Sequence, residues 1–143
     1  MSFSRKIKIS LSVGIIIAVV FSICSFAKTS DEIRSDVLRL HVIANSDSSV
    51  DQNLKLRVRD YILNEGKEIF NGSVNVENAV KKIEPLLPKL ENSARNFIRS
   101  SGFDYDVHIT LSDEYFTTRT YETVTLPAGK YLALRVVIGS GEG

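Results

Sequence analysis

The sequence predicts a single α+β domain that follows an apolar N-terminal leader helix. Three observations support this: an uninterrupted apolar run near the N-terminus, two amphipathic helical segments in mid-chain, and four β-branched or alternating segments around them. The predicted order is β-α-α-β-β-β, with the helices packed on one face of a mainly antiparallel sheet. At 143 residues, with 43% hydrophobic and 24% charged residues, the chain has the length and composition of one globular domain.

Residues 1–27 contain the three parts of a secretory signal. These are a basic start without acids, an uninterrupted apolar run from Val13 to Phe21, and small residues at Ser25 and Ala27. One interpretation is a signal peptide that is cleaved after Ala27. The other is an uncleaved anchor, because Ile9 to Ala27 is about long enough, at 1.5 Å per residue, to cross a bilayer core of about 30 Å. Both interpretations export the rest of the chain, which begins with a polar spacer at residues 28–36.

The predicted exported part, residues 28–143, is mildly acidic and has no cysteine. The whole chain has 18 Lys and Arg against 17 Asp and Glu, and the leader contains three of these cations and none of the acids. Since Cys24 lies in the leader, a thiol nucleophile and a Cys-based metal site are excluded from the exported part. Its basic residues are dispersed, so nucleic acid is not a predicted partner. The domain is predicted to span residues 37–139, followed by a flexible glycine-rich tail at 140–143.

The first strand and the first helix of the domain are predicted from consecutive segments. Val37 to Ile43 is β-branched and apolar, which predicts a strand. A polar loop leads to Ser49 and Gln52, whose capping-box spacing predicts a helix N-terminus. Apolar residues then recur at helical intervals as far as Ile69, and Asn71-Gly72 predicts the end of this helix.

A second helical segment, from Val76 to Ile98, carries its apolar residues on one face. Pro85 and Pro88 lie inside it. Because each proline removes an amide donor and clashes with the preceding turn, they predict a break or a kink. Gly102 predicts the C-terminal stop.

Three strands complete the predicted fold. Residues 103–111 alternate strictly between apolar and polar side chains, which is typical of a half-buried strand. The Thr-rich segment 117–126 predicts a strand in a more polar setting. A Pro-Ala-Gly turn leads into residues 131–138, which are apolar on both faces apart from Arg135 and predict a central strand.

A dense group of polar side chains follows the first strand and is the first candidate for a functional site. Lys55 and Arg59 lie four residues apart, on one face of the predicted helix. Loop rigidification and helix capping explain Asn45, Ser49 and Gln52, whereas a recognition surface explains why so many charged groups gather there. The predicted partner-binding residues are Asn45, Asp47, Asp51, Gln52, Lys55 and Arg59.

The alternating strand provides a second candidate group, Asp104, Asp106 and His108. Carboxylates on one strand face can share a metal ion or a proton, which would suit an exported hydrolase or metal-dependent enzyme; the competing interpretation is the solvated face of an amphipathic strand. His41 and His108 are the only imidazoles, and neither has an acid at a recognisable metal-ligand spacing. No GxSxG, HExxH or P-loop motif occurs, and no cofactor or metal is predicted.

Two blocks of the sequence resemble the stage II sporulation protein R family. The first block is Leu40-His-Val-Ile-Ala-Asn-Ser-Asp-Ser48, continued by Asp51 to Asp60. The second comprises Arg119-Thr-Tyr121 and the segment from Leu126 to Gly139. The likeness covers about residues 37–143 and includes a similar exported leader.

This resemblance implies a developmental signal of endospore-forming bacteria. Members of the family are made in the forespore and exported into the space between the forespore and mother-cell membranes. There they trigger a membrane-embedded aspartic protease of the mother cell to process a sigma-factor precursor. The expected function is therefore protease activation without catalysis by the chain itself, with membrane contact through residues 9–27 before or without cleavage. Family members continue into a Trp- and Cys-containing tail beyond the glycine-rich turn, whereas this sequence stops at Gly143.

Overall fold

The computed structural model describes residues 3–67, 75–122 and 124–143 of the chain. The helices are α1 (Phe3–Ser35), α2 (Ser49–Glu65), α3 (Val76–Ile83) and α4 (Leu87–Ser100), with a 3-10 turn at Glu84–Leu86 between the last two. The strands are β1 (Arg39–Ile43), β2 (Val107–Phe116), β3 (Arg119–Thr120), β4 (Thr125–Leu126) and β5 (Gly129–Ile138). The predicted α+β class, with a single domain after an apolar N-terminal helix, is confirmed.

Helix α1 contains the leader and continues through most of the predicted spacer. Its segment Arg5–Ser35 is long and apolar enough to cross a membrane, with a mean hydropathy of 2.5 in its most apolar window, and no other helix among the described residues has this property. Signal sequences and anchors share these features, so both interpretations of the leader stand. At its end the helix contacts the domain, because the Arg34 guanidinium donates to the Ala128 carbonyl oxygen (2.9 Å).

The main sheet has the strand order β1-β5-β2. β5 is the central strand, as its two apolar faces predicted. β2 runs antiparallel to β5, whereas β1 runs parallel to it, so the sheet is mixed. The short strands β3 and β4 form a separate antiparallel pair in the connection from β2 to β5.

The hydrophobic core lies between the main sheet and helices α2 and α4. Alternate residues of β5 (Leu134, Val136 and Ile138) are at most 1% exposed and face the helices. The helical side chains buried in the same cluster are Leu54, Val58 and Ile62 of α2, Ile83 of α3, and Ala94 and Ile98 of α4. Helices α2 and α4 therefore lie on one face of the sheet, as predicted, and the other set of alternate strand residues forms the opposite face.

The N-terminus of α2 differs from the prediction by one residue. Ser48 is the N-cap, in place of Ser49, and its Oγ accepts a hydrogen bond from the Asp51 amide (3.2 Å). The amides of the first helical turn have no partner within the helix. The Ser48 hydroxyl provides a hydrogen-bond acceptor for one of them, because the N-cap backbone is extended and directs the side chain towards the third helical residue. The helix ends at Glu65, and the predicted end at Asn71-Gly72 lies outside the described residues.

The second helical segment breaks where its prolines predicted. The 3-10 turn Glu84–Leu86 contains Pro85, and Pro88 lies in the first turn of α4, where a missing amide donor costs nothing. Gly102, with φ of +89°, follows the end of α4 and is the predicted stop.

All four predicted strands have different limits in the structure. β1 begins at Arg39, two residues later than predicted, and β5 begins at Gly129, two residues earlier. β2 begins at Val107, because Val107 pairs with Ile138, the last residue of β5, and the chain turns at Gly139. Residues 103–106 therefore have no strand partner, although Phe103 and Tyr105 still pack against the core. The Thr-rich segment 117–126, predicted as one strand, contains two short strands, β3 and β4, which pair as the two sides of a hairpin.

Candidate partner-binding surfaces

Part of the predicted recognition surface forms the internal framework of the loop between β1 and α2. Asp51 is 4% exposed, and its Oδ2 accepts hydrogen bonds from Asn45 Nδ2 (3.0 Å) and Ser46 Oγ (2.6 Å). Gln52 Nε2 donates to the carbonyl oxygen of Ser46 (3.0 Å). Asn45, Asp51 and Gln52 thus hold the loop in shape.

The surroundings of Asp51 favour its charged form. Hydrogen bonds from Ser46 and Asn45 lower the pKa of Asp51, against a smaller opposing effect of burial. Tyr105 forms a hydrogen bond with the same carboxylate. Burial, and then this hydrogen bond, raise the pKa of Tyr105. Asp51 is therefore an ionised acceptor that joins the start of α2 to the loop and to the segment before β2.

Asn45 also connects the loop to the glycine-rich residues after β5. Its Oδ1 accepts from the Ser140 amide (3.0 Å), and its carbonyl oxygen accepts from Ser140 Oγ (2.8 Å). Ala44 and Gly143 exchange two backbone hydrogen bonds (3.0 and 3.1 Å). Residues 140–143, predicted as a flexible tail, are thus docked, since this pairing satisfies backbone groups beyond the end of β1.

Three of the predicted partner-binding residues lie outside this framework. Asp47 and Arg59 are exposed, and Lys55 is half-buried. The Arg59 guanidinium contacts its neighbour Asp60 (2.7 Å from Nη2 to Oδ1), with both side chains largely in solvent. Lys55 and Arg59 lie one helical turn apart on α2, and their role in binding stays a prediction.

The alternative group, Asp104 and Asp106 before β2 and His108 in β2, is spread along the surface. The Asp104 side chain is 98% exposed and lies 3.9 Å from the Arg99 guanidinium. Asp106 accepts a hydrogen bond from Arg95 Nε (2.6 Å), and this bond, with a second from the Val107 amide, holds the pKa of Asp106 below its ordinary value. Among the described residues, no three His, Cys, Asp or Glu side chains gather in a way that could hold a metal ion.

The sheet face opposite α2 and α4 carries a polar cluster that the sequence did not predict. We call this face the open face. Its central acid is Glu114, whose Oε2 contacts His41 Nδ1. The other carboxylate oxygen, Oε1, lies 3.4 Å from Arg135 Nε and accepts a hydrogen bond from Ser112 Oγ (3.2 Å). These residues come from three strands, and strand register is the signal that would have placed them together.

Arg39 lies buried next to this cluster. Arg39 is 9% exposed. Its guanidinium carbon lies 3.9 Å from the ring centre of Phe116 and 5.1 Å from that of Tyr131. Attraction to the two rings stabilises the cation. Within the described part of the chain, however, Arg39 Nη1 has no hydrogen-bond partner.

Comparison with known proteins gives a consistent result. The family model for stage II sporulation protein R matches residues 34–143. The chain is also similar to stage II sporulation protein R of Bacillus subtilis (strain 168), with 30% identity over 111 residues, or 78% of this chain and 50% of the relative. The chain therefore spans about half the length of that curated relative. No solved structure matches the chain.

Proposed function

Because the chain belongs to the stage II sporulation protein R family, we propose that it is an exported signal that activates a membrane-embedded aspartic protease of the mother cell. Membership of the family supports a role in sporulation. In this proposal the protease processes a sigma-factor precursor, and the chain acts as the activating ligand without catalysing a reaction. Its site of action is the space between the forespore and mother-cell membranes.

The observation that carries the proposal is the extent of the family match. The match begins at residue 34 and includes every strand of the structure and every described helix after α1. Helix α1 adds support for export, because its apolar composition suits insertion into a bilayer. The cations Arg5, Lys6 and Lys8 at its start favour retention of the N-terminus in the cytoplasm.

An activating ligand must bind the active arrangement of its receptor more tightly than the inactive one. A rigid contact surface serves this purpose, because little ordering entropy is then lost on binding. The proposed contact residues are Asp47, in the loop that hydrogen bonds to Asp51 hold in shape, and Lys55 and Arg59, on helix α2. The other three predicted partner-binding residues are Asn45, Asp51 and Gln52. In this proposal they act indirectly, by holding the loop between β1 and α2 in shape.

An exported hydrolase or metal-dependent enzyme is the alternative function. It would use Asp104, Asp106 and His108, and it has less support because these side chains do not converge. Asp104 is almost fully solvated, Asp106 is held by Arg95, and His108 lies 3.9 Å from Asp106 with 67% of its side chain exposed. Replacing all three with Ala separates the two functions: signalling should persist under the proposal, and activity should disappear under the alternative.

The proposal is tested by reconstitution in a non-sporulating bacterium that makes the protease and the sigma-factor precursor. Addition of the full chain with its own leader should start precursor cleavage, measured by immunoblotting. The matched control is the double variant Ile16→Arg/Val19→Arg, which changes only the apolar run of α1. Two charges at this position oppose membrane insertion, so this variant should stay in the cytoplasm and leave the precursor uncleaved.

Two results would contradict the proposal. In the first, the unsubstituted chain is found outside the cytoplasm, and the precursor stays intact although the protease is present. In the second, the cytoplasmic double variant supports cleavage as well as the exported chain does.

A further inference from the structure

The open face has an excess of positive charge. The strand register places His41, Arg135 and Thr110 in one row across β1, β5 and β2, and it places His108 in the next row. Arg39 lies on the same face of β1 as His41. Glu114 is the only acid that β1, β2 and β5 contribute to this face, where two arginines, Arg39 and Arg135, stand against one carboxylate. His108 lies near acids outside these strands, 3.9 Å from Glu91 and 3.9 Å from Asp106.

The contacts of Glu114 leave this excess uncompensated. Its two carboxylate oxygens are already shared among His41, Arg135 and Ser112. Arg135 approaches Glu114 through Nε, and within the described residues its terminal amino groups make no hydrogen bond. The buried Arg39 also keeps an unpartnered Nη1. Free guanidinium donors in a fixed orientation match the geometry of a carboxylate.

The side chains in the row of Arg135 are accessible from solvent. The side chain of Arg135 is 45% exposed and that of His41 is 42% exposed, and the exposed Thr110 adds a hydroxyl in the same row. Helices α2 and α4 pack against the other face of the sheet. A partner could therefore approach the open face without displacing the core helices.

We propose that the open face binds an acidic segment of a protein partner, with a carboxylate of that segment held by the Arg135 guanidinium and the Thr110 hydroxyl. Charge complementarity identifies the occupant, because a net positive, donor-rich face favours an anion. An anionic membrane surface fits less well, since such surfaces are recognised by clusters of roughly four to eight Lys and Arg. This binding does not depend on the protease-activating function.

The test is direct binding of the full chain, in zwitterionic detergent, to a short fluorescent peptide that alternates Glu and Gly. The matched peptide replaces every Glu with Gln, and vesicles of phosphatidylglycerol form a separate arm. We expect the Glu peptide to bind about tenfold more tightly than the Gln peptide. Arg135→Gln should remove this preference, and Arg135→Lys should retain part of it. The control Arg99→Gln changes an exposed arginine on α4 and should leave binding unchanged.

Backbone chemical shifts measured during the titration locate the bound peptide independently of any variant. We expect the largest changes at His41, Thr110 and Arg135. Because this titration uses the unsubstituted chain, it remains informative if Arg135→Gln fails to fold. Equal affinity for the two peptides, or shift changes confined to α2, would overturn the proposal. Binding to the anionic vesicles that depends on Arg135, without preference for the Glu peptide, would also overturn it and assign the open face to a membrane surface. Each of these results leaves the reconstitution test of protease activation unaffected.

Discussion

Glu114 of β2 contacts His41 of β1 across the central strand β5, which lies between their two strands. Ala133 of β5 is fully buried on the same face and lies between them in the register. Its methyl group leaves room for the long Glu114 side chain to reach the far strand. The contact ties together the two outer strands of the sheet, which are not hydrogen-bonded to each other.

Replacing Glu114 with Gln is expected to destabilise the sheet. The carboxylate serves His41, Arg135 and Ser112, and Gln removes its charge and one acceptor oxygen. We expect the free energy of unfolding to fall by about 1–3 kcal/mol, the usual cost of losing hydrogen bonds to a charged group. Urea denaturation measures this change. The control Asp113→Asn alters the adjacent exposed acid on the opposite face and should have little effect; equal losses in the two variants would contradict the assigned role.

Replacing Asp51 with Asn is expected to lower stability in a pH-dependent way. Hydrogen bonds from Ser46 and Asn45 hold the pKa of Asp51 below its ordinary value of 3.8 in the folded state. Because this folded-state pKa is lowered, the stabilisation is complete above the ordinary value and is lost as pH falls through the lowered one. At neutral pH we expect the midpoint of thermal unfolding to drop by about 5 °C.

Thermal unfolding followed by circular dichroism between about pH 2 and pH 7 tests this effect. The difference between Asp51→Asn and the unsubstituted chain should shrink as the solution becomes more acidic. Asp47→Asn, in the exposed part of the same loop, is the control and should match the unsubstituted chain. A difference that stays constant across the pH range would show that charge is not the cause.

Replacing Gly139 with Ala is expected to disrupt the contact between the loop and the segment after β5. Gly139 has φ of +58°, and an added Cβ would lie 2.1 Å from Asn45 Oδ1. Asn45 cannot move without losing its bonds to Asp51 and Ser140. Gly102→Ala is the matched control, because that glycine also has positive φ but no atom within 4 Å of the new Cβ.

We expect Gly102→Ala to cost about 1 kcal/mol through backbone strain alone. Gly139→Ala should cost about 1–2 kcal/mol more, because the steric clash adds to the strain. Chemical denaturation of the two variants gives both values. Equal costs would mean that the loop accommodates the methyl group and that the Asn45 contact contributes little.

Reversing the charges at Lys55 and Arg59 is expected to abolish precursor processing without unfolding the domain. The ion pair of Arg59 with Asp60 is exposed, and such pairs contribute little to stability. Lys55→Glu/Arg59→Glu should therefore unfold within about 2 °C of the unsubstituted chain. Immunoblotting in the reconstituted host measures processing, and Lys89→Glu, an exposed reversal on α4, should keep full activity. Full processing by the double variant would remove these two residues from the contact surface.

Several elements of the fold could be predicted because their cause is local. Pro85 and Pro88 predict a break or a kink in a helix that contains them, and the two apolar faces of residues 131–138 predict a central strand. The N-cap of α2 was misplaced by one residue because Ser48 and Ser49 are chemically equivalent, and only the loop geometry selects between them. The start of β2 was misplaced because strand pairing ends where β5 ends, at Ile138.

The candidate site depended more strongly on tertiary structure. Asp51 was correctly placed in a polar group, yet its burial beneath Asn45 and Ser46 made it part of the framework. Lys55 and Arg59 kept their predicted place on one face of α2. The cluster of Glu114, His41 and Arg135 was missed, since nothing in the local sequence connects β1, β2 and β5.

By itself, the sequence determined the apolar leader, the α+β class and the family, because hydropathy, residue periodicity and residue identity are properties of contiguous segments. The tertiary structure alone decided which polar side chains support the loop, that the segment after β5 docks against Asn45, and that Glu114 contacts both His41 and Arg135 on the open face. These features arise from strand register and side-chain packing between distant residues such as Asn45 and Ser140, which are 95 positions apart. Their energies depend on burial and on partner distance, which only the folded chain defines.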